Sequence, residues 1–373
     1  MPLHKYMIEH LLYPAMEQHK GNQIRAILNE LQLSQKANAP AVQYQRLIKL
    51  LLHCKQHVPA YAGLLPDDSV ILTDPMAVLR TRIPLLPKTN FQQNPEAYLA
   101  DDIPASSRIA NCTGGSTGQP VHFYMTRHQV ESYEAARWRG LSWYGITQGS
   151  RSVMLWGSPI ELSKQAQLKN RLKESLLKNR RILSAYNLTE QDLTKHVRFL
   201  EHYRPEYLYG YATILTAFAQ MLENAHITPN LSLKAVVSTS ETLEKWQEEL
   251  LSRVFRCPVA NEYGARDAGI LAYTCPDGGI HDTRAGAGRY ERYSCHHRSD
   301  QLCSAASALS SWRHGNALPC FLSVRPQPSA SDTYRRARGR PADRLERYTG
   351  SRQCDRSAPA PAGRSARFPV PSA

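Results

Sequence analysis

Pro205-Glu-Tyr-Leu-Tyr209, Leu233-Lys-Ala-Val-Val-Ser238 and Val259-Ala-Asn-Glu-Tyr263 are three short runs dominated by Val, Leu, Ala and Tyr. Ala212–Asn224 fills the first interval and Leu243–Phe255 the second, each with the length and apolar spacing of a helix. Strands followed by helices at this spacing predict an α/β sheet with crossover helices. In such sheets ligands gather at the carboxyl ends of strands.

Working outward, Ala41–His57 reads as an apolar helix stopped near Pro59, and 67–100 as Pro-punctuated and mostly irregular. Gln129–Trp143 reads as a helix, Arg151–Trp156 as a short buried strand and Glu161–Lys178 as a polar-faced helix. Thr189–His202 reads as another helix, with Thr189 as its N-cap and Asp192 in the first turn. There is no internal repeat.

The chain has 373 residues, long enough for a large core and for two or three domains. Apolar residues make up 42% and charged residues 21%, an ordinary globular balance. No apolar run approaches the roughly 18 residues of a membrane span. Glu9 and His10 interrupt the start where a secretory signal needs an apolar stretch, so the expected compartment is the cytoplasm. The eight cysteines are scattered without a CxxC pair, which argues against a disulfide framework.

That average hides a break. Residues 284–373 hold 16 Arg, no Lys and 6 acidic residues, so most of the formal charge of +14 lies in the last quarter. The last Lys is Lys245 and the last Ile is Ile280. Leu, Val and Phe together number 9 in these 90 residues, while Ser, Ala, Pro and Gly number 41. Such a segment buries too little apolar surface to offset its ordering entropy, and it is expected to be irregular or disordered. Three readings stand side by side: an Arg-rich nucleic-acid-binding arm, a solvated linker, or translation of a G+C-rich gene in a wrong reading frame. The first lacks aromatic interleaving and RGG-like repeats. The abrupt loss of Lys and Ile favours the third. The expected division is therefore 1–283 as one domain and 284–373 as a tail.

Two motifs carry chemistry. Asn111-Cys-Thr-Gly-Gly-Ser-Thr-Gly-Gln-Pro120 is a loop of small residues whose backbone N–H groups can approach anionic oxygens, with hydroxyls as further donors. No Lys follows its last Gly, so it is not a P-loop. Taken alone it could equally be a mobile turn. Asn261-Glu-Tyr-Gly-Ala-Arg-Asp267 lies about 140 residues downstream at a strand end, and alone would be a turn with an Arg266–Asp267 ion pair.

Together, Thr113 to Pro120 and Tyr263 to Asp267 closely resemble the phosphate loop and the adenine motif of the adenylate-forming superfamily. The fold implied is an adenylate-forming N-terminal domain with mixed sheets and crossover helices. Gln119 stands where many members carry Lys, and Asp267 is one methylene shorter than the usual Glu. The resemblance implies that Thr113, Gly114, Gly115, Ser116, Thr117 and Gly118 hold phosphates and that Glu262, Tyr263 and Gly264 lie against the nucleotide, with the Tyr263 ring on adenine. Asp267 would be the catalytic residue that positions Mg²⁺ on ATP, for which a carboxylate is a suitable hard ligand. Ser238-Thr-Ser-Glu-Thr-Leu243 resembles a strand-end segment beside the nucleotide, which implicates Ser240 and Glu241. Tyr209, Gly210 and Tyr211, in a segment running to Thr213, would contribute to the acyl pocket. The aromatic stretch Arg137–Trp143 and Leu155-Trp-Gly157 reads as core and helix packing.

His53-Cys-Lys-Gln-His-Val-Pro-Ala-Tyr61 and Tyr273-Thr-Cys-Pro-Asp-Gly-Gly-Ile-His281 narrow the resemblance to the phenylacetate–coenzyme A ligase-like branch, among proteins similar to capsular polysaccharide biosynthesis proteins. It covers roughly residues 40–281. It implies attack of a small carboxylic acid on the ATP α-phosphate, then transfer of the acyl group to a thiol, usually coenzyme A. Cys275 and His281 could ligate zinc, but a structural site needs four ligands. Some relatives complete one with a later Cys-x-Cys-Gly-Arg, where this chain has Arg336-Ala-Arg-Gly-Arg340, so a plain turn is expected.

Past His281 only scraps of the family pattern return, at Gly315–Pro319 and Arg338–Arg347. The R-Y-x-x-G-D segment, whose Asp would hold the ribose, is not intact: Arg347-Tyr-Thr-Gly-Ser351 ends in Ser. With no Lys after 245, the Lys of the C-terminal lid domain is missing. The expectation is an incomplete adenylation domain with little activity. The alternatives are a non-catalytic nucleotide-binding scaffold and nucleic-acid binding through the tail. The sequence does not specify the acid, the acceptor or the oligomeric state.

Overall fold

The computed structural model describes residues 3–34, 39–113, 121–156, 174–184, 188–282 and 289–290. Gly114–Pro120 of the Gly-rich motif and nearly all of the Arg-rich tail lie outside them, as does most of the helix expected over Glu161–Lys178.

An eight-stranded mixed sheet organises the chain. Its parallel part comprises β3 (Ser152–Trp156), β4 (Arg180–Ser184), β5 (Tyr207–Tyr211), β6 (Ala235–Thr239) and the first residues of β7 (Val259–Ala265). β8 (Gly269–Thr274), β9 (Ile280–Asp282) and β10 (Arg289–Tyr290) extend it antiparallel. A separate hairpin pairs β1 (Ile109–Cys112) with β2 (His122–Met125). The spatial order is 10-9-8-7-6-5-3-4. The chain thus leaves β3 in one direction to form β4, then returns past β3 to build β5, β6 and β7. The reversal places a topological switch point between β3 and β5.

Alternation along the strands explains why helices cover both faces. Val153, Leu155, Leu208, Val236 and Val259 pack on one face beneath three helices, α4 (Leu193–Tyr203), α5 (Ala212–Asn224) and α6 (Lys245–Phe255). Tyr207, Tyr209, Ala235, Val237 and Ala260 point the other way, against Ala136 and Leu141 of α3 (Arg127–Ser142). Behind α3 lies α1 (Ile24–Ser34), through Ile24, Leu28 and Leu31 against Ala135. A second cluster gathers Leu47, Leu50, Leu51 and Cys54 of α2 (Ala39–His57) with Ile71, Val78 and Ile103. No helix among the described residues is long and apolar enough to cross a membrane.

The helix expected over Ala212–Asn224 has those bounds, and those over Ala41–His57, Gln129–Trp143 and Leu243–Phe255 shift by at most two residues. α3 starts on a capping box: Thr126 Oγ1 accepts from Gln129 N at 3.3 Å, and Gln129 Oε1 from Thr126 N at 2.7 Å. Two expectations are corrected. Residues 67–100 are not mostly irregular but hold the short helices Asp68–Thr73, Pro75–Arg82 and Lys88–Gln93. Pro75 occupies a first-turn position, where its missing N–H costs nothing. Thr189 is not the cap of α4: its hydroxyl accepts from Asp192 N at 3.2 Å in a preceding turn, and Asp192 is the N-cap residue. β4 was not foreseen, because Arg180-Arg-Ile-Leu-Ser184 carries two charges and little apolar signal.

The N-terminal residues 3–20, helical throughout, are tied to the sheet through one carboxylate. Glu206, just before β5, accepts from Lys5 Nζ at 2.9 Å and lies 2.8 Å from Lys234 Nζ. Ser150 Oγ also donates to it at 3.2 Å. Burial alone would raise the Glu206 pKa, but the hydrogen bonds and charges of Lys234 and Lys5 outweigh it and hold the pKa down at about 2. A carboxyl depressed in the folded state stabilises it above its unfolded pKa, near 4.5, and that contribution drains away as pH falls toward 2. Glu206→Gln is therefore expected to lower the thermal midpoint at pH 7 and to flatten the acid-side fall in stability between pH 4.5 and 2. Unfolding curves across that range that superimpose for the two proteins would refute the role given to Glu206.

Candidate active site

At the carboxyl end of the parallel strands, the switch point is marked by stacked rings. Trp156, the last residue of β3, lies with its ring centroid 4.2 Å from that of Tyr211, the last residue of β5, and 6.4 Å from that of Tyr209. The strands come this close because Gly210 has no side chain: a Cβ there would lie 2.6 Å from the Leu155 carbonyl oxygen. Tyr209 is buried and Tyr211 half-buried. Trp156, read from sequence as packing, thus stands with the acyl-pocket candidates.

Beneath this edge, Glu262 of β7 forms the centre of a buried polar network, its side chain fully inaccessible. Its Oε1 accepts from the Tyr209 hydroxyl at 2.6 Å and from Thr239 Oγ1 at 2.9 Å. Its Oε2 accepts from Arg137 Nε at 3.2 Å. The Arg137 guanidinium lies over the rings of Tyr133 and Tyr209, 5.1 and 5.5 Å from their centroids. Burial works against the Arg137 charge, yet Tyr209, Glu262, Glu134 and Tyr133 hold its pKa above the usual arginine range. Burial pushes the Tyr209 hydroxyl well above its ordinary range, opposed by Arg137 and aided by Glu262. This carboxylate joins β5, β6, β7 and α3 in one connected set of charge-assisted bonds. Arg137 and Thr239 were not singled out from the sequence. The available signal was a basic residue in the middle of an otherwise packed aromatic helix face.

The remaining candidates surround the network. Tyr263 is 42% exposed at the sheet end. Gly264 follows it at a shift in the β7–β8 register, where a Cβ would meet the Gly269 carbonyl oxygen at 2.5 Å. Asp267 sits in the β7–β8 turn, partly buried; burial raises its pKa, and backbone N–H groups of Asp267 and Ala268 draw it back only in part. Ser240, after β6, takes a positive φ of 66° and is exposed. Glu241 turns back to accept from Thr213 N and Oγ1, both at 2.8 Å, at the first turn of α5. Thr113 follows β1 and pairs twice with Val121: its N donates to the Val121 carbonyl and its Oγ1 accepts from Val121 N, both at 2.9 Å. Those bonds fix the two ends of the Gly-rich segment; Gly114, Gly115, Ser116, Thr117 and Gly118 lie outside the described residues.

No protein-family model matches the chain. Protein CapK of Staphylococcus aureus is 22% identical over 226 residues, which is 61% of this chain and 50% of CapK. The chain thus spans half the length of that curated relative. Among solved structures, a 2-hydroxyisobutyryl-CoA ligase in its postadenylation state superposes with a TM-score of 0.49 at 16% identity, over 66% of this chain and 53% of the ligase. The same ligase in an open conformation, with 2-HIB-AMP and CoA, gives 0.48 at 15%, over 65% and 58%.

Removing the carboxylate at the centre of the network takes the acceptor from the buried Tyr209 and Thr239 hydroxyls and leaves the half-buried Arg137 with Glu134 as its counter-charge. Glu262→Ala is expected to destabilise the fold by about 1–3 kcal/mol, since two buried hydroxyls lose their acceptor. Urea unfolding would measure it. A loss below about 1 kcal/mol would show that Glu262 is not the structural centre described.

Proposed function

We propose that residues 1–283 form a partial adenylation domain that binds ATP and activates a small carboxylic acid as its acyl-adenylate, with coenzyme A as the thiol acceptor of the complete reaction. One observation carries this reading. The segments 210–213, 238–243 and 261–267, separate in sequence, all fall at the carboxyl ends of the adjacent strands β5, β6 and β7. Ligands of doubly wound sheets bind at that edge. A link to capsule or exopolysaccharide biosynthesis rests on sequence resemblance alone, as does placement in the cytoplasm.

In this mechanism the Gly-rich segment from Thr113 to Gly118 offers backbone and hydroxyl donors to the phosphates, its ends held by the Thr113–Val121 pair. The Tyr263 ring, exposed beside Gly264, stacks on adenine, and Ser240 and Glu241 border the nucleotide. The backbone at that border is held by the bonds from Thr213 to Glu241. Glu262 acts on the nucleotide indirectly, by fixing the Tyr209 ring and the strand that carries Tyr263. Tyr209, Gly210 and Tyr211 bound the acyl group, with Trp156 stacked on Tyr211 as a flat wall. Asp267 is the group that would hold Mg²⁺; its carboxylate at the strand-end turn suits a hard cation, which when bound offsets phosphate charge. The chain's contribution is to hold the carboxylate and the α-phosphate in line and to exclude water.

The 373-residue chain is proposed to be impaired, because no Lys follows Lys245 and no R-Y-x-x-G-D segment is intact. A nucleotide-binding scaffold without turnover is the second reading, and the same sequence observation favours it. ATP with Mg²⁺ is expected to raise the melting temperature of the purified chain, and Tyr263→Ala to abolish that rise. Acid-dependent ATP–pyrophosphate exchange is expected to be absent or weak; robust exchange would refute impairment, and no nucleotide stabilisation would refute the nucleotide site. Sequencing the source DNA from about codon 270 and translating all frames tests the tail. Family segments recovered in another frame would assign the ligase reaction to the repaired chain. A confirmed frame without them would put the scaffold reading first.

A further inference from the structure

Far from the strand ends, the last two turns of α2 carry a second cluster of metal-ligating groups. His53 and His57 lie four residues apart on α2 and therefore share one face, with ring centroids 5.0 Å apart. Asp101 and Asp102 approach that face from the segment leading toward β1. His53 Nε2 is 3.0 Å from Asp102 Oδ2, and His57 Nδ1 is 2.9 Å from Asp101 Oδ1. One ligand atom each from His53, His57 and Asp102 fall within 4.8 Å of one another. The His53 side chain is buried, that of His57 is 27% exposed and that of Asp102 is 29% exposed, so solvent reaches the cluster from one side.

The backbone on both sides is already held. Asp101 N donates to the His57 carbonyl at 3.0 Å, closing the end of α2 onto this segment. Arg108 Nη2 donates to the Ala100 carbonyl at 3.0 Å. Ala100 and Ile103 are buried in the same apolar cluster as Leu50, Leu51, Cys54 and Val58. Core packing and the hydrogen bonds between these groups together hold the donor atoms in place, which makes the site pre-organised.

We propose that His53, His57 and Asp102 form a binding site for a borderline divalent transition-metal ion of the Zn²⁺ type. Two imidazoles and one carboxylate are a ligand set for such ions. A tetrahedral ion with bonds of about 2.0–2.2 Å holds its ligand atoms about 3.3 Å apart, so closure needs side-chain movements of about 1.5 Å or less. Asp101, already bonded to His57, supplies the supporting carboxylate that orients that ring, or the fourth ligand. A bound ion would clasp α2 to the segment that leads into β1. The site is independent of the nucleotide reading above.

Full-length chain stripped with chelator and dialysed against Zn²⁺ is the test, with bound metal measured by atomic absorption. His57→Ala and Asp102→Asn are expected to bind one equivalent less than the unsubstituted chain; equal stoichiometry would overturn the proposal. Co²⁺ provides a second readout on the unsubstituted chain. A four-coordinate d–d band without thiolate charge transfer supports the site. A thiolate band, or no band, places the ion on cysteine or nowhere and overturns it.

Discussion

The Glu262 carboxylate is the point on which the carboxyl-terminal edge of the parallel strands depends. Three strands and the helix above them are joined through its two oxygens. Packing alone would align β5, β6 and β7 only to the tolerance of apolar side chains. A charge-assisted network around a buried carboxylate adds direction, because each donor must point at the same few ångströms of space. The cost is desolvation of both Glu262 and Arg137, and the stacked rings of Tyr133 and Tyr209 offset part of it. The residue that resembles part of an adenine motif is therefore a strut for the residue beside it.

That arrangement clarifies how much of the molecule was legible in its sequence. The crossover helices were, because α5 and α6 present apolar stripes and are bounded by strands of Val, Ala and Tyr. β4 and β9 were not: they are short and mixed in polarity, and tertiary pairing rather than local pattern decides them. The short helices of 67–100 were hidden by their prolines, which punctuate a sequence whether they start a helix or end one.

At the site, glycines and motif residues were readable because their spacing is unusual. Their division of labour was not. Gly210 and Gly264 are read from sequence as ligand-facing, yet each stands where a Cβ would strike a neighbouring carbonyl. Arg137 lies more than a hundred residues from Glu262, and nothing local in the sequence announces a pairing at that separation. The His53–Asp102 and His57–Asp101 pairs show the same limit, since only folding brings α2 to that segment.

The bond between Lys5 and Glu206 links residues separated by 201 positions. During synthesis at about 5–20 residues per second, the first helix must wait roughly 10–40 s for its acceptor to be made. Through that interval Lys5 lacks the carboxylate that holds it in the finished fold. The helix that carries Lys5 thus cannot take its final place until the chain has been made at least to Glu206.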